Sequence, residues 1–231
     1  MAMRHRSFGC SIAAACLCWG MAAPVMAEAY ARAPMAQYRL AAADEVALAR
    51  SAAPPAISGQ ATVLVLGEKD YEVAAQGKNG FTCIVERSWA SGFDDPEFWN
   101  PRIRAPICFN AAATRTVLPE YLGRTKWVLA GATEAQILEH ARAAVASGAV
   151  GAPAVGAMCY MMSKQQYLSD KAGGHWHPHL MYFLPKMEDA AWGANLPGSP
   201  MIAAQGDPEP VTVFFAPVPK WSDGTMGSME M

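Results

Sequence analysis

Three of the five histidines in this 231-residue chain fall within five positions, in the run His175-Trp176-His177-Pro178-His179. Alternate residues of an extended strand share a face, so the three imidazoles of such a strand would project to one side, neighbours roughly 6.5 Å apart. Neighbours at that spacing can converge on one ion; the outer pair, roughly 13 Å apart, can do so only if Pro178 bends the chain. The pattern therefore implies two ligands from this segment and a further one from elsewhere, with Glu86, Asp170 and Glu188 as candidates. Imidazole suits Zn, Cu, Fe or Ni, and Met158, Met161, Met162 and Met181, with Met226, Met229 and Met231 near the C-terminus, add thioethers that favour Cu(I). Two other readings of the same histidines stand beside this one. They can line a polar pocket that takes a ligand without a metal, or pack against Trp176 and Tyr182 with each ring bonded to backbone.

Other signatures of catalysis are absent. There is no HExxH, no GxSxG, no SxxK with its partner motifs, no phosphate-cradling glycine loop and no CxxC. Three function classes follow: a His-lined pocket for a small molecule or a transition metal (Zn, Cu or Fe), a metal-dependent hydrolase built on the same histidines, and a non-catalytic sensing or interaction domain. The third class would use an aromatic pocket formed by Trp89, Phe93, Trp99 and Trp192.

The compartment is easier to read. Arg4, His5 and Arg6 precede an apolar run from Phe8 to about Ala23, and Pro24-Val25-Met26-Ala27 places small residues where a signal peptidase cuts. Residues 1–27 are thus expected to be a signal peptide and the mature chain to be periplasmic or secreted, with no membrane span once the leader is removed. Cleavage leaves 16 basic against 20 acidic residues, and only 16% of the chain is charged, which argues against nucleic acid as a partner. Three cysteines leave with the leader. Of the remaining Cys83, Cys108 and Cys159, a Cys83–Cys108 disulfide is expected, closing a loop of about 25 residues.

The elements that would position these groups follow from pattern. An Ala-rich helix and linker occupy 28–60, with helical character from Ala36 to Ala52 ended by Pro54-Pro55. A single α+β domain spans 61–224, and 225–231 form a loose tail. Thr62–Leu66 and Tyr71–Ala75 read as a hairpin, and Asn79-Gly80 as a turn leading to a third antiparallel strand, Phe81–Arg87. Residues 88–110 read as loop, with Asp94-Asp95-Pro96-Glu97 as a helix start. Leu118–Gly148 reads as helical, with a Thr133–Gln136 capping box and an apolar stripe of Ile137, Leu138, Ala141 and Val145. Three further strands are expected near Met158–Met162, His177–Leu184 and Val211–Ala216. The result is an antiparallel sheet of about six strands, three before and three after a helical segment, with helices packed on it.

Several blocks carry a resemblance: Asn79-Gly80-Phe81-Thr82-Cys83 with Val85-Glu86-Arg87-Ser88-Trp89, Phe93-Asp94-Asp95-Pro96-Glu97-Phe98-Trp99-Asn100-Pro101, Gly174-His175-Trp176-His177-Pro178-His179-Leu180-Met181, and Trp192-Gly193-Ala194-Asn195-Leu196-Pro197-Gly198-Ser199-Pro200. Together they resemble a group of exported bacterial proteins labelled hypothetical, over roughly Asp44 to Gly224. The resemblance implies an exported location and assigns no activity, cofactor or site residue.

Overall fold

A computed structural model describes residues 30–227; the expected signal peptide, Met229 and Met231 lie outside the described residues. Strands β1 (Thr62–Leu66), β2 (Tyr71–Ala75), β3 (Thr82–Glu86), β4 (Ala105–Phe109), β5 (Met158–Met161), β6 (His179–Pro185), β7 (Ile202–Gln205) and β8 (Val211–Pro217) build one sheet, ordered β2-β1-β3-β4-β5-β6-β8-β7. Helices α1 (Ala42–Arg50), α2 (Pro55–Ser58), α3 (Ala111–Thr116), α4 (Leu118–Leu129) and α5 (Glu134–Ala146) complete the described secondary structure, with short 3-10 turns. The class is α+β, as expected, but the sheet has eight strands and is mixed.

The parallel pair arises at the second turn. Asn79-Gly80 does not fold β3 back onto β2. The chain instead crosses the start of β1 and lays β3 parallel to it on its far side, with Thr62 opposite Thr82 and Val63 opposite Cys83. The crossing is so tight that a Cβ on Gly77 would lie 2.1 Å from the Thr62 amide nitrogen, so only glycine fits there.

Two strands lie where none was expected, β4 within the segment read as loop. In β4, Ala105-Pro106 follows a proline-rich segment, and a proline argues against a central strand. The register resolves this. Cys83 faces Cys108 with Cα atoms 4.0 Å apart, the short spacing of a pair not exchanging backbone bonds, so Val85 and Pro106 two residues away form a pair of the same kind. The Pro106 nitrogen therefore points toward β5, which pairs only with Cys108 and Phe109, and no ladder bond is missing. Strand β7 is a short, mostly exposed edge strand whose Ala-rich sequence lacks alternation. The chain thus contributes four strands before the α3–α5 helical segment and four after.

The helix expected at Asp94–Glu97 is a turn. Asp95 Oδ1 does accept from the Glu97 amide, the bond an N-cap would make. Asn100 precedes Pro101, which disfavours helical backbone at Asn100 and ends the turn. The Thr133–Gln136 capping box is present at the start of α5, and Asn110 caps α3 by accepting from the Ala113 amide at 2.9 Å.

Three layers result. On one face, Ala49 of α1 with Ala52 and Ala53 packs on Val63, Cys83, Val85 and Cys108. On the other, Ala113, Val117 and Leu118 pack on Ile84, Ile107, Phe109, Cys159, Met181 and Phe183. Every residue of β3 and β4 is buried, so these strands show no polar alternation. Cys83 and Cys108 lie at disulfide distance beneath α1, and Cys159 is a buried free thiol.

A buried ion pair ties α1 to the sheet: Arg87 Nη2 donates to Glu45 Oε1 at 2.9 Å, Arg87 Nε donates to the Tyr38 carbonyl at 2.6 Å, and the Leu66 amide donates to the same Glu45 oxygen at 3.1 Å. Among the described residues no helix is long and apolar enough to cross a membrane.

Candidate functional site

Helix α4 does not close completely on the sheet. Between its Val117, Glu120, Tyr121 and Arg124 side, which recurs at helical spacing, and strands β3 to β6 and β8 lies a cavity of about 370 Å³. Alternation along the strands selects its floor. Glu86 ends β3, Ala105 begins β4, Met161 ends β5, His179, Met181 and Phe183 come from β6, and Val211, Val213 and Phe215 from β8. The turn between β7 and β8 (206–210) covers one side, and Gly151 and Pro153 another. Most of the wall is apolar, and a polar cluster lies where the end of β3 faces α4.

Arg124 organises that end. It is 4% exposed, donates from Nη2 to Glu209 Oε1 at 2.8 Å and from Nη1 to the Ser91 carbonyl at 2.8 Å, and lies 3.5 Å from Glu120. Its guanidinium also stacks 4.4 Å over the Phe93 ring. Glu86, 7% exposed, stands at the end of β3 with its Oε1 buried and without a hydrogen-bond partner; Ser88 Oγ and Arg124 Nε share that condition. Burial is the main reason the Glu86 carboxyl is pushed up to about 8. The nearby Glu120 carboxyl raises it further, and Arg124 pulls the other way. Glu120 is likewise held well above the usual carboxylate range by burial, then by Glu209, against the pull of Arg124. Burial also raises the Tyr121 hydroxyl and the Cys159 thiol. At neutral pH this end of the cavity thus holds neutral carboxylic acids around one Arg–Glu ion pair.

The expected histidine row is not formed. His175, His177 and Pro178 precede the strand, which begins only at His179, so the three rings do not share a strand face. His175 is exposed and His177 half-buried, and of the three only His179 lines the cavity. Its Nδ1 lies 2.8 Å from the His177 carbonyl and must donate to it, which leaves the lone pair on Nε2. Burial depresses its pKa to about 4, the bond to the His177 carbonyl opposing, so the ring is neutral at pH 7. Trp176 packs edge-on against it, ring centres 4.5 Å apart. Among the described residues no three His, Cys, Asp or Glu side chains are grouped to hold a metal ion.

The candidate additional ligands are scattered. Glu86 is in the cavity, Glu188 lines a separate open depression with Asp189, and Asp170 accepts hydrogen bonds from Tyr30, Asn100, Arg102 and Tyr167.

Of the aromatic set, Trp89 is buried in a third cluster with Tyr38, Phe98, Val128 and Ile137, and Phe93 and Trp99 pack against it. Trp192 lies elsewhere, stacked on Phe214 at 4.7 Å. None of the four lines the cavity, although Phe93 reaches it through Arg124.

No family model, curated protein or solved structure matches this chain.

Sequence reasoning named Glu86 only as a candidate additional metal ligand and passed over Ser88, Glu120, Arg124 and Glu209. Glu86 carried a signal, a carboxylate at the end of an otherwise apolar strand. Glu120 and Arg124 carried a weaker one, an i,i+4 pair that reads equally well as a solvated helix face.

Proposed function

We propose that the chain binds a small molecule in the cavity between α4 and the sheet, its apolar body on Met161, Met181, Phe183, Val213 and Phe215 and its polar head at Glu86, Ser88 and Arg124. One observation carries the reading: three side chains lining one cavity each keep a buried polar atom without a partner. A buried polar group left unpaired costs roughly 1–3 kcal/mol, and a ligand head that pairs with several such groups recovers that cost on binding. The cavity's volume and its mainly apolar wall suit a ligand site. His179 joins the far end as a neutral ring, which retains one histidine of the sequence-level pocket without requiring a metal.

The neutral fluorophore N-phenyl-1-naphthylamine tests the pocket itself. Its emission should rise saturably, at one site per chain, with wild-type protein. Val213→Trp, which fills the cavity floor, should abolish the rise, while Leu196→Trp on the exposed loop should leave it unchanged, both variants keeping the wild-type circular dichroism. Equal probe binding by the Val213→Trp protein overturns the reading.

A further inference from the structure

Taking the cavity as a ligand site, we infer that its ligand is a cationic amphiphile, a protonated amine on an apolar body, whose ammonium sits between Glu86, Ser88 and the Glu120–Glu209 pair. The balance of charge points there. The lining carries five carboxyl groups, Glu86, Asp95, Glu120, Asp207 and Glu209, against two guanidiniums, Arg87 and Arg124. Arg87 is already matched by Glu45 behind the sheet, and Arg124 by Glu209. His179, the remaining basic side chain on the wall, is neutral at pH 7. No guanidinium on the wall is therefore left free to neutralise an anionic head, while Glu86 and Glu120 are protonated acids that can ionise against a cation.

Clusters of acids are common, but this one has an independent mark of a ligand. The Oε1 atom of Glu86 is buried, faces no donor, and belongs to a side chain more than nine-tenths buried in the cavity wall. An ammonium presents three donors and no acceptor, which suits Glu86 Oε1 and Ser88 Oγ together. A carboxylate or phosphate head could reach Arg124 only through Nε, because its Nη groups are already bonded to Glu209 and Ser91, and would sit beside the Glu120 and Glu209 carboxyls. An alcohol could bond to the same atoms but would leave Glu86 and Glu120 protonated.

The apolar body has a matching wall. Met161, Met181, Phe183, Val213 and Phe215 lie together on the cavity floor formed by β5, β6 and β8. Thioether side chains adapt to irregular aliphatic shapes, which suits an alkyl or aryl-alkyl amine better than a polyamine.

The arriving cation also changes a protonation state. The Glu86 carboxyl is held protonated by burial and by Glu120. An ammonium beside it reverses that preference, so binding at pH 7 should release a proton from the Glu86 carboxyl to solvent, leaving a carboxylate–ammonium pair. The other titratable groups around Glu86 are Glu120, Tyr121 and Arg124 on α4, Glu209 on the β7–β8 turn, Cys159 on β5 and Tyr71 on β2.

Titration calorimetry with the full mature chain and three matched probes, 1-hexylamine, 1-hexanol and hexanoate, decides the matter at pH 7 in two buffers of different protonation enthalpy. The amine should bind at least tenfold more tightly than the alcohol, hexanoate should show no saturable binding, and the buffers should report release of close to one proton per amine. Glu86→Gln should weaken the amine at least tenfold more than it weakens hexanol, and abolish proton release; Ser88→Ala, which should likewise weaken the amine, gives a second reading should Glu86→Gln fail to fold. Hexanol or hexanoate binding as tightly as the amine overturns the cationic assignment while leaving the cavity as a ligand site. Failure of all three to bind or to displace N-phenyl-1-naphthylamine, with that probe also indifferent to Val213→Trp, overturns the cavity reading itself.

Discussion

The Glu86 carboxyl gives stability a pH dependence of definite sign. It is pushed up to about 8 in the folded chain, from the ordinary 4.5 it recovers on unfolding. Between those values the folded state holds a proton that the unfolded state has released, so stability is highest at acid pH and falls as pH rises. The slope from one such group approaches about 1.4 kcal/mol per pH unit, which between pH 5 and pH 8 amounts to roughly 3 kcal/mol. Glu86→Gln keeps the size and the neutral form and removes the titration. Urea unfolding of both proteins at half-unit pH steps, followed by circular dichroism, yields two stability curves whose difference reports Glu86 together with its interaction with Glu120, because His179 and the more distant acids contribute to both. The variant should match wild type to within about 1 kcal/mol at pH 5 and exceed it by roughly 3 kcal/mol at pH 8. Parallel curves, with a gap constant to about 0.5 kcal/mol, would refute the reasoning: Glu86 would then ionise normally, and the picture of a dry acid at the cavity end would be wrong.

Three further outcomes are expected. Arg87→Met strands Glu45 in the core and should cost about 3–5 kcal/mol in urea unfolding, whereas Arg87→Met with Glu45→Leu should recover much of it; equal losses in the two would refute a true buried pair. Replacing both Cys83 and Cys108 by Ala opens a loop of sequence separation 25 and should lower stability by roughly 3 kcal/mol, read as a lower urea midpoint than that of the oxidised wild type. The His179 imidazole, with its pKa depressed to about 4, should give a flat NMR chemical-shift profile from pH 8 to pH 5.5; since the unfolded ring takes up its proton near 6.5, stability linked to this ring is present above 6.5 and is lost as pH falls toward 4.

Much of the scaffold was legible because local rules and tertiary environment agree there. The β1–β2 hairpin is two short runs of strand-forming residues joined by a tight turn, α5 opens with a satisfied capping box, and Cys83 and Cys108 turn out to be cross-strand partners. Strand β4 was hidden because burial on both faces removes alternation and because Pro106 is tolerated only through the register of a neighbouring strand. The direction of β3 was hidden for a similar reason: the sequence of a turn announces a reversal but not which edge of the hairpin the chain reaches. The site was hardest to see. His175-Trp176-His177-Pro178-His179 concentrates rare residues in sequence, yet the strand starts too late to align them. Glu86, Glu120, Arg124 and Glu209 come from three distant segments and meet only after the sheet and α4 pack.

Pro106 has one more effect. Because it ends the β5 ladder after Cys108 and Phe109, the two halves of the sheet, β1–β4 and β5–β8, are joined in the middle by a short seam, while β6 and β8 pair along their full length from His179 to Pro185. The cavity straddles that seam, with Glu86 on one half and Met181, Val213 and Phe215 on the other. Breathing of the sheet is least costly where fewest ladder bonds must break, so amides flanking Cys108 and Tyr160 should exchange with solvent deuterium through smaller openings than those of β6 and β8. A guest as large as the cavity could then pass between the halves without unfolding either one, and a bound guest bridging them should slow that exchange.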